Sequence, residues 1–247
     1  MELNLLERID CPLRIIGKIL IDSQYRAFWK YHREFSKILK YNQDFLFRYK
    51  HSILDEIIEF QNDAYDCYIN MVKTFENSPF KDDYFSRFCL PNYIAHVLFP
   101  ISFSLYPALL TAYLPHCYSS LRLAVEALGV MYLAEDIPDN WYERKLRRFR
   151  RMIRGRATSE VISKVDPKLG SLFSKFSNWL HAVNYLKRVT EYFFKSHELP
   201  PRSLGSPMPY NEADLEELHQ LENDVNTVRK LVPKILRKWY DKIGLQP

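Results

Sequence analysis

The sequence predicts an all-α protein: a multi-helix bundle with a long N-terminal helical hairpin or single helix and a long C-terminal helix. Three observations carry this expectation. Only six of 247 residues are Gly, and no Asn-Gly or Asp-Gly pair occurs, which leaves little for hairpin turns or phosphate loops. Apolar residues recur at three- and four-residue spacing through long stretches. The composition, 47% hydrophobic with 15% aromatic and 26% charged residues, is that of a chain able to bury a core.

Residues 1–20 read as a short helix or arm, interrupted at Pro12 and Gly17. From Ile21 to Asn77 there is neither Gly nor Pro. An apolar line runs from Tyr25 through Phe28, Phe35 and Leu39 and resumes at Leu46, Ile53, Ile57, Phe60 and Phe75. The spacing predicts one very long helix, or two broken near Asn42-Gln43, ended by Asn77-Ser78-Pro79. Residues 93–134 are the most apolar part. Pro100, Pro107 and Pro115 divide its first half, and Ser119–Ala134 reads as an uninterrupted helix. Glu135–Asp139 is a turn, followed by a basic helix over 141–155 and another helix over about 168–197. Four prolines between Leu199 and Pro209 mark a linker. The final helix opens at Asn211 and runs to about Ile243, with Leu218, Leu221, Val225, Val228, Val232, Ile235 and Trp239 on one face and a kink expected at Pro233. The domain division is therefore a bundle over 1–198, a Pro-rich linker over 199–210, and a C-terminal helix over 211–247 that packs on the body or on a second copy.

Tyr93–Leu114 is long enough to span a bilayer but carries His96, two serines, a threonine and two prolines, so a kinked buried helix is expected and no membrane partner. The four cysteines, Cys11, Cys67, Cys89 and Cys117, form no C-x-x-C, and the first residues show no secretory pattern. Reduced cysteines in a cytoplasmic protein are the expectation.

Charge is unevenly distributed. Residues 143–156 hold eight Lys/Arg and one Glu. Tyr142, Leu146, Phe149 and Ile153 form a stripe suited to docking on the core. Arg144, Arg147, Arg148, Arg151 and Arg154 fall on the other faces, toward solvent. Arginine suits bidentate phosphate contacts, and such a face would bind RNA or another polyanion with salt-dependent affinity. The competing expectation is a solvated face that answers Glu212–Asp224, which holds six acids and no Lys or Arg.

Two polar pairs lie elsewhere. Arg122-x-x-x-Glu126 and Ser177-x-x-x-His181 each place two polar groups one helical turn apart in apolar surroundings. A carboxylate, a guanidinium and an imidazole in one cleft can do acid–base work on a phosphodiester; equally, they can form a buried network that fixes bundle register.

The Leu121-Arg122-x-x-x-Glu126-Ala127 helix, followed by Phe173-Ser174-Lys175-Phe176-Ser177-Asn178-Trp179-Leu180-His181, resembles helical prokaryotic proteins related to the HEPN superfamily and to abortive-infection proteins, over about residues 95–190. The resemblance implies a helical bundle, a homodimer, and in active members a metal-independent ribonuclease using R-x(4–6)-H. Counting back from His181, those gaps fall on Phe176, Lys175 and Ser174, not on Arg; Arg26-x5-His32 has the spacing in another part of the chain. For a ribonuclease, His181 would serve as general acid or base, Glu126 would orient it, and Arg122 would stabilise the phosphorane charge.

Glu135-Asp136-Ile137-Pro138-Asp139 and Asn223-Asp224-x-x-Thr227-x-x-x-Leu231 imitate the two magnesium motifs of all-α terpene synthases, but Leu231 supplies no oxygen. Glu216-x-x-His219 is half of a di-iron signature without its second half. No P-loop, G-x-S-x-G or dinucleotide fingerprint occurs, so neither a metal nor a cofactor is expected. The sequence thus points to a nucleic-acid or nucleotide-phosphate binding helical protein, or alternatively to a non-catalytic protein that assembles through its helices.

Overall fold

The computed structural model describes residues 35–181 and 209–246. The described residues form an all-α bundle without strands, as expected. In chain order the helices are α1 (35–49), α2 (His51–Glu76), α3 (Tyr84–Arg87), α4 (Cys89–Tyr93), α5 (Phe99–Leu110), α6 (Leu114–Ala134), α7 (Tyr142–Met152), α8 (Thr158–Ile162), α9 (Pro167–Leu180) and α10 (Leu215–Lys242). A π turn, Ile94–Leu98, joins α4 to α5, and a 3-10 turn, Glu212–Asp214, leads into α10.

α2 forms because 26 residues without Gly or Pro carry one apolar face; Ile53, Ile57, Phe60, Ala64, Met71 and Phe75 are all buried. At its end the Asn77 amide donates to the Lys73 carbonyl (3.0 Å) and the Ser78 hydroxyl to that of Phe75 (2.9 Å), serving carbonyls that lack helical partners. Pro79 follows and cannot continue the helix. The break between α1 and α2 falls at Lys50 (φ −149°, ψ 47°), not at Asn42-Gln43. Asn42 is instead a fully buried clip inside α1. Its amide donates to the Leu110 carbonyl (2.7 Å) and accepts from the Tyr210 N–H (2.8 Å), so a helix-disfavouring residue is fully satisfied in place.

α6 is the hub, with α4, α5, α7, α8, α9 and α10 all packed on it; α2 lies between α5 and α10. Pro107 sits within α5 and does not cut it, whereas the expected division at Pro115 is present: α5 ends at Leu110 and Pro115 lies in the first turn of α6. Pro100 follows the π turn, whose wider winding takes up the register change at the carbonyl left without a donor. Cys89–Leu110 is long and apolar enough to cross a membrane, and 44% of its most apolar window is buried in the bundle.

The C-terminal stripe Leu218, Leu221, Val225, Val228, Val232, Ile235 and Trp239 is buried, chiefly against α2. α10 therefore packs on the body. It runs through Pro233 as one helix, with Pro233 itself exposed. The linker's far end is not loose either: Tyr210 is buried and its hydroxyl donates to the Leu109 carbonyl (2.6 Å). The expected helix to residue 197 ends at Leu180; residues 182–197, the rest of the linker to 208, and the N-terminal segment with Arg26 and His32 lie outside the described residues.

Candidate functional site

α7 begins where Asp139 accepts the Trp141 N–H (3.1 Å) and ends as Ile153 leaves the helical region. Phe149, Tyr142, Leu146 and Ile153 pack with Cys89, Ala134 and Val161 in a small apolar cluster of their own. One cation goes inward. Lys145 is buried, donates to the Glu135 carboxylate (2.9 Å) and lies 5.4 Å from the Phe88 ring centroid. The other Glu135 oxygen accepts the N–H groups of Cys89 (2.6 Å) and Leu90 (3.1 Å), in the first turn of α4. Burial holds the Glu135 carboxyl above the usual carboxylate range despite Lys145 and these two backbone donors. This buried pair bolts the basic helix to the core.

The other cations face solvent. Arg144, Arg147, Arg148, Arg151 and Arg154 are all exposed, as is Arg150. Arg148 bridges to Asp139 (3.2 Å) and donates to the Pro138 carbonyl (3.2 Å). Arg144, Arg147, Arg150, Arg151 and Arg154 make no ion pair among the described residues. The acidic segment 212–224 does not answer them: Glu222 pairs with Lys50, Asp224 with Lys175 (2.6 Å), and Asp214 caps the turn before α10. Among the described residues the expected internal neutralisation is not found, because Glu222 turns to Lys50 at the α1–α2 junction and Asp224 to Lys175 of α9.

Two concavities flank the helix. A shallow groove of about 460 Å³ runs along Arg147, Arg150, Arg151 and Arg154. A pocket of about 620 Å³ opens at the other end, between Arg87 of α3, Trp141, and Arg144 and Arg148 of α7, with Glu135 and Lys145 at its base. Trp141 is 54% exposed. Arg87 and Trp141 went unread as site residues in the sequence. Trp141 adjoins the basic run and was legible there; Arg87 arrives only through the fold.

The seam comes out differently from the sequence expectation. Arg122 and Glu126 form no ion pair; the Arg122 guanidinium lies over the Phe173 ring (4.9 Å), which draws it off its helical neighbour. Its Nε is buried without a hydrogen-bond partner, as is the Ser177 hydroxyl. His181 is exposed and already extended (φ −63°, ψ 130°), so it leaves the helix face it would share with Ser177. It makes no hydrogen bond to Glu126, because the one-turn spacing rule applies only within a continuous helix.

The acids of the magnesium-like motifs are each taken by a cation: Glu135 by Lys145, Asp136 by Lys242, Asp139 by Arg148 and Asp224 by Lys175. No group of three or more His, Cys, Asp or Glu side chains suited to a metal occurs among the described residues. No protein-family model matches the chain, and neither a curated protein nor a solved structure does.

Proposed function

We propose that this protein binds nucleic acid through the solvent face of α7. The observation that carries the reading is a row of arginines without internal acid partners on a helix that is itself locked to the core through Lys145–Glu135 and four apolar side chains. A fixed cationic face meets phosphates without first ordering its backbone, which keeps the entropic penalty of binding low. From Arg144 to Arg151 the helix rises about 10 Å, and Arg154 follows in the turn beyond Met152. At about 3.4 Å per nucleotide along one strand, the helical part matches roughly three phosphates, with Arg154 placed for a fourth. The HEPN resemblance agrees with an RNA target. Its ribonuclease chemistry rests on the resemblance alone, since Arg122, Glu126 and His181 form no hydrogen-bonded relay among the described residues.

The test is fluorescence anisotropy with labelled RNA across a salt series. Four phosphate contacts predict a slope of log K against log salt near about −3 for a single strand. Arg147/Arg150/Arg151→Glu abolishes binding, whereas His181→Ala leaves it intact. The same RNA, incubated in EDTA and run on a denaturing gel, reports cleavage; loss of cleavage in His181→Ala would add a catalytic role. Wild-type protein that ignores every anionic probe, while assembling as a defined oligomer, would overturn the proposal in favour of an assembly protein.

A further inference from the structure

We infer that the pocket at the N-terminal end of α7 seats one unpaired nucleotide, its base stacked on Trp141 and its phosphate held by Arg87, Arg144 and Arg148. The inference rests on the reading of α7 as a nucleic-acid face and names the class of strand that face selects.

Size is the first argument. The concavity is broad, about 620 Å³, and open to solvent, which exceeds a bare phosphate's need and admits a strand from outside. Charge is the second. Lys145 is neutralised by Glu135, and Arg148 is partly neutralised by Asp139. Arg144 has no ion-pair partner among the described residues, and Arg87, which lies over the Phe80 ring (4.9 Å), has a single long ion pair there, to Asp83 (3.5 Å). About two uncompensated positive charges therefore face a pocket that would receive one phosphodiester. Trp141 supplies the surface for the base. Its indole is 54% exposed at the rim, beside guanidinium groups from two elements. Its ring makes no aromatic contact among the described residues, so a flat face is open to a base. Guanidinium and indole together form the combination that binds single strands, charge for the backbone and a π surface for the base. A paired base is stacked on its own neighbours and cannot use that face. The groove along Arg147, Arg150, Arg151 and Arg154 lacks an aromatic residue and takes backbone from any strand.

The experiment compares three probes on the full-length protein: a labelled single-stranded RNA decamer, a duplex of the same length, and inorganic polyphosphate as competitor. Wild type should bind the single strand about 5- to 150-fold tighter than the duplex, the range that base–aromatic stacking gives. Trp141→Ala should bring the single strand down to the duplex level and leave competition by polyphosphate unchanged; Trp141→Phe should keep most of the preference. Equal wild-type affinity for the two strands, or a preference untouched by Trp141→Ala, overturns the pocket while leaving the α7 face standing. An equal loss for all three probes in Trp141→Ala also overturns it, since stacking acts on bases alone. Absence of binding to every probe overturns both proposals.

Discussion

Lys145 shows how far a single residue can depart from the run it belongs to. In the sequence it is one of eight cations within 143–156; in the fold it turns inward and meets Glu135, the two side chains only 7% and 3% exposed. Breaking such a pair from one side leaves a buried charge, so Lys145→Met should lower stability by about 3–5 kcal/mol in urea denaturation. Adding Glu135→Gln keeps an acceptor for the Cys89 and Leu90 N–H groups and removes the stranded charge. The double variant should recover a large part of the loss. Asp166 gives a pH-dependent counterpart. Burial pushes its carboxyl up, but the Lys234 ammonium (2.9 Å), the Lys168 N–H that it caps (3.0 Å) and the charge of Lys238 prevail, and its pKa lies below the ordinary value. With the folded value under the unfolded one, the carboxylate stabilises the protein above about pH 4, and that contribution disappears as pH falls through the folded value. Asp166→Asn keeps the cap but loses the charge interaction, so it should cost up to about 1 kcal/mol at neutral pH and nothing in strong acid, as a denaturation series across pH would show. Neither partnership was legible, because Lys145 and Glu135 meet across a turn and Lys234 and Asp166 across two helices.

Among the elements, α8 goes unseen in the sequence yet is closely hemmed in by its neighbours. Gly129 of α6 and Gly170 of α9 both face it. A Cβ on Gly129 would stand 2.5 Å from the Ile162 Cβ, and one on Gly170 would stand 2.5 Å from the Ser159 carbonyl oxygen. Two scarce glycines thus serve close approach rather than turns. Gly129→Ala should destabilise by about 1–3 kcal/mol despite alanine's better helix propensity, because the atom it meets first is the Cβ of Ile162, which every residue but glycine carries; thermal melts of the variant decide this. Helix existence was legible wherever the apolar period was long, as in α2, α6 and α10. Boundaries were not. Asn42 looked like a breaker because its tertiary partners, Leu110 and Tyr210, are invisible locally. Pro233 does not end the helix: α10 continues through it, with buried Val232, Ile235 and Leu236 on either side of an exposed proline.

For the whole molecule, periodicity and scarce glycine sufficed to give the class and the basic face, while the pocket beside that face required Arg87 to be carried in from α3. The core they enclose is aromatic at one end, where Phe75 stacks on Tyr84 (4.6 Å) and packs with Phe88 and Trp239. Trp239→Ala should remove about 3–5 kcal/mol, measured by denaturation. Val228→Asp, which on an exposed helix would only disturb assembly, should instead unfold the chain, because Val228 is fully buried. α10 reaches back to α2 across 170 residues, with Asn226 on Glu56 and Arg229 on Glu59. On the ribosome this separation becomes time. At roughly 5–20 residues per second, about 10–30 s pass between emergence of the α2 groove and synthesis of the helix that covers it. Over that interval the nascent chain displays Ile53, Ile57 and Phe60 to its surroundings, and it is then, rather than in the finished bundle, that chaperones and proteases find it open.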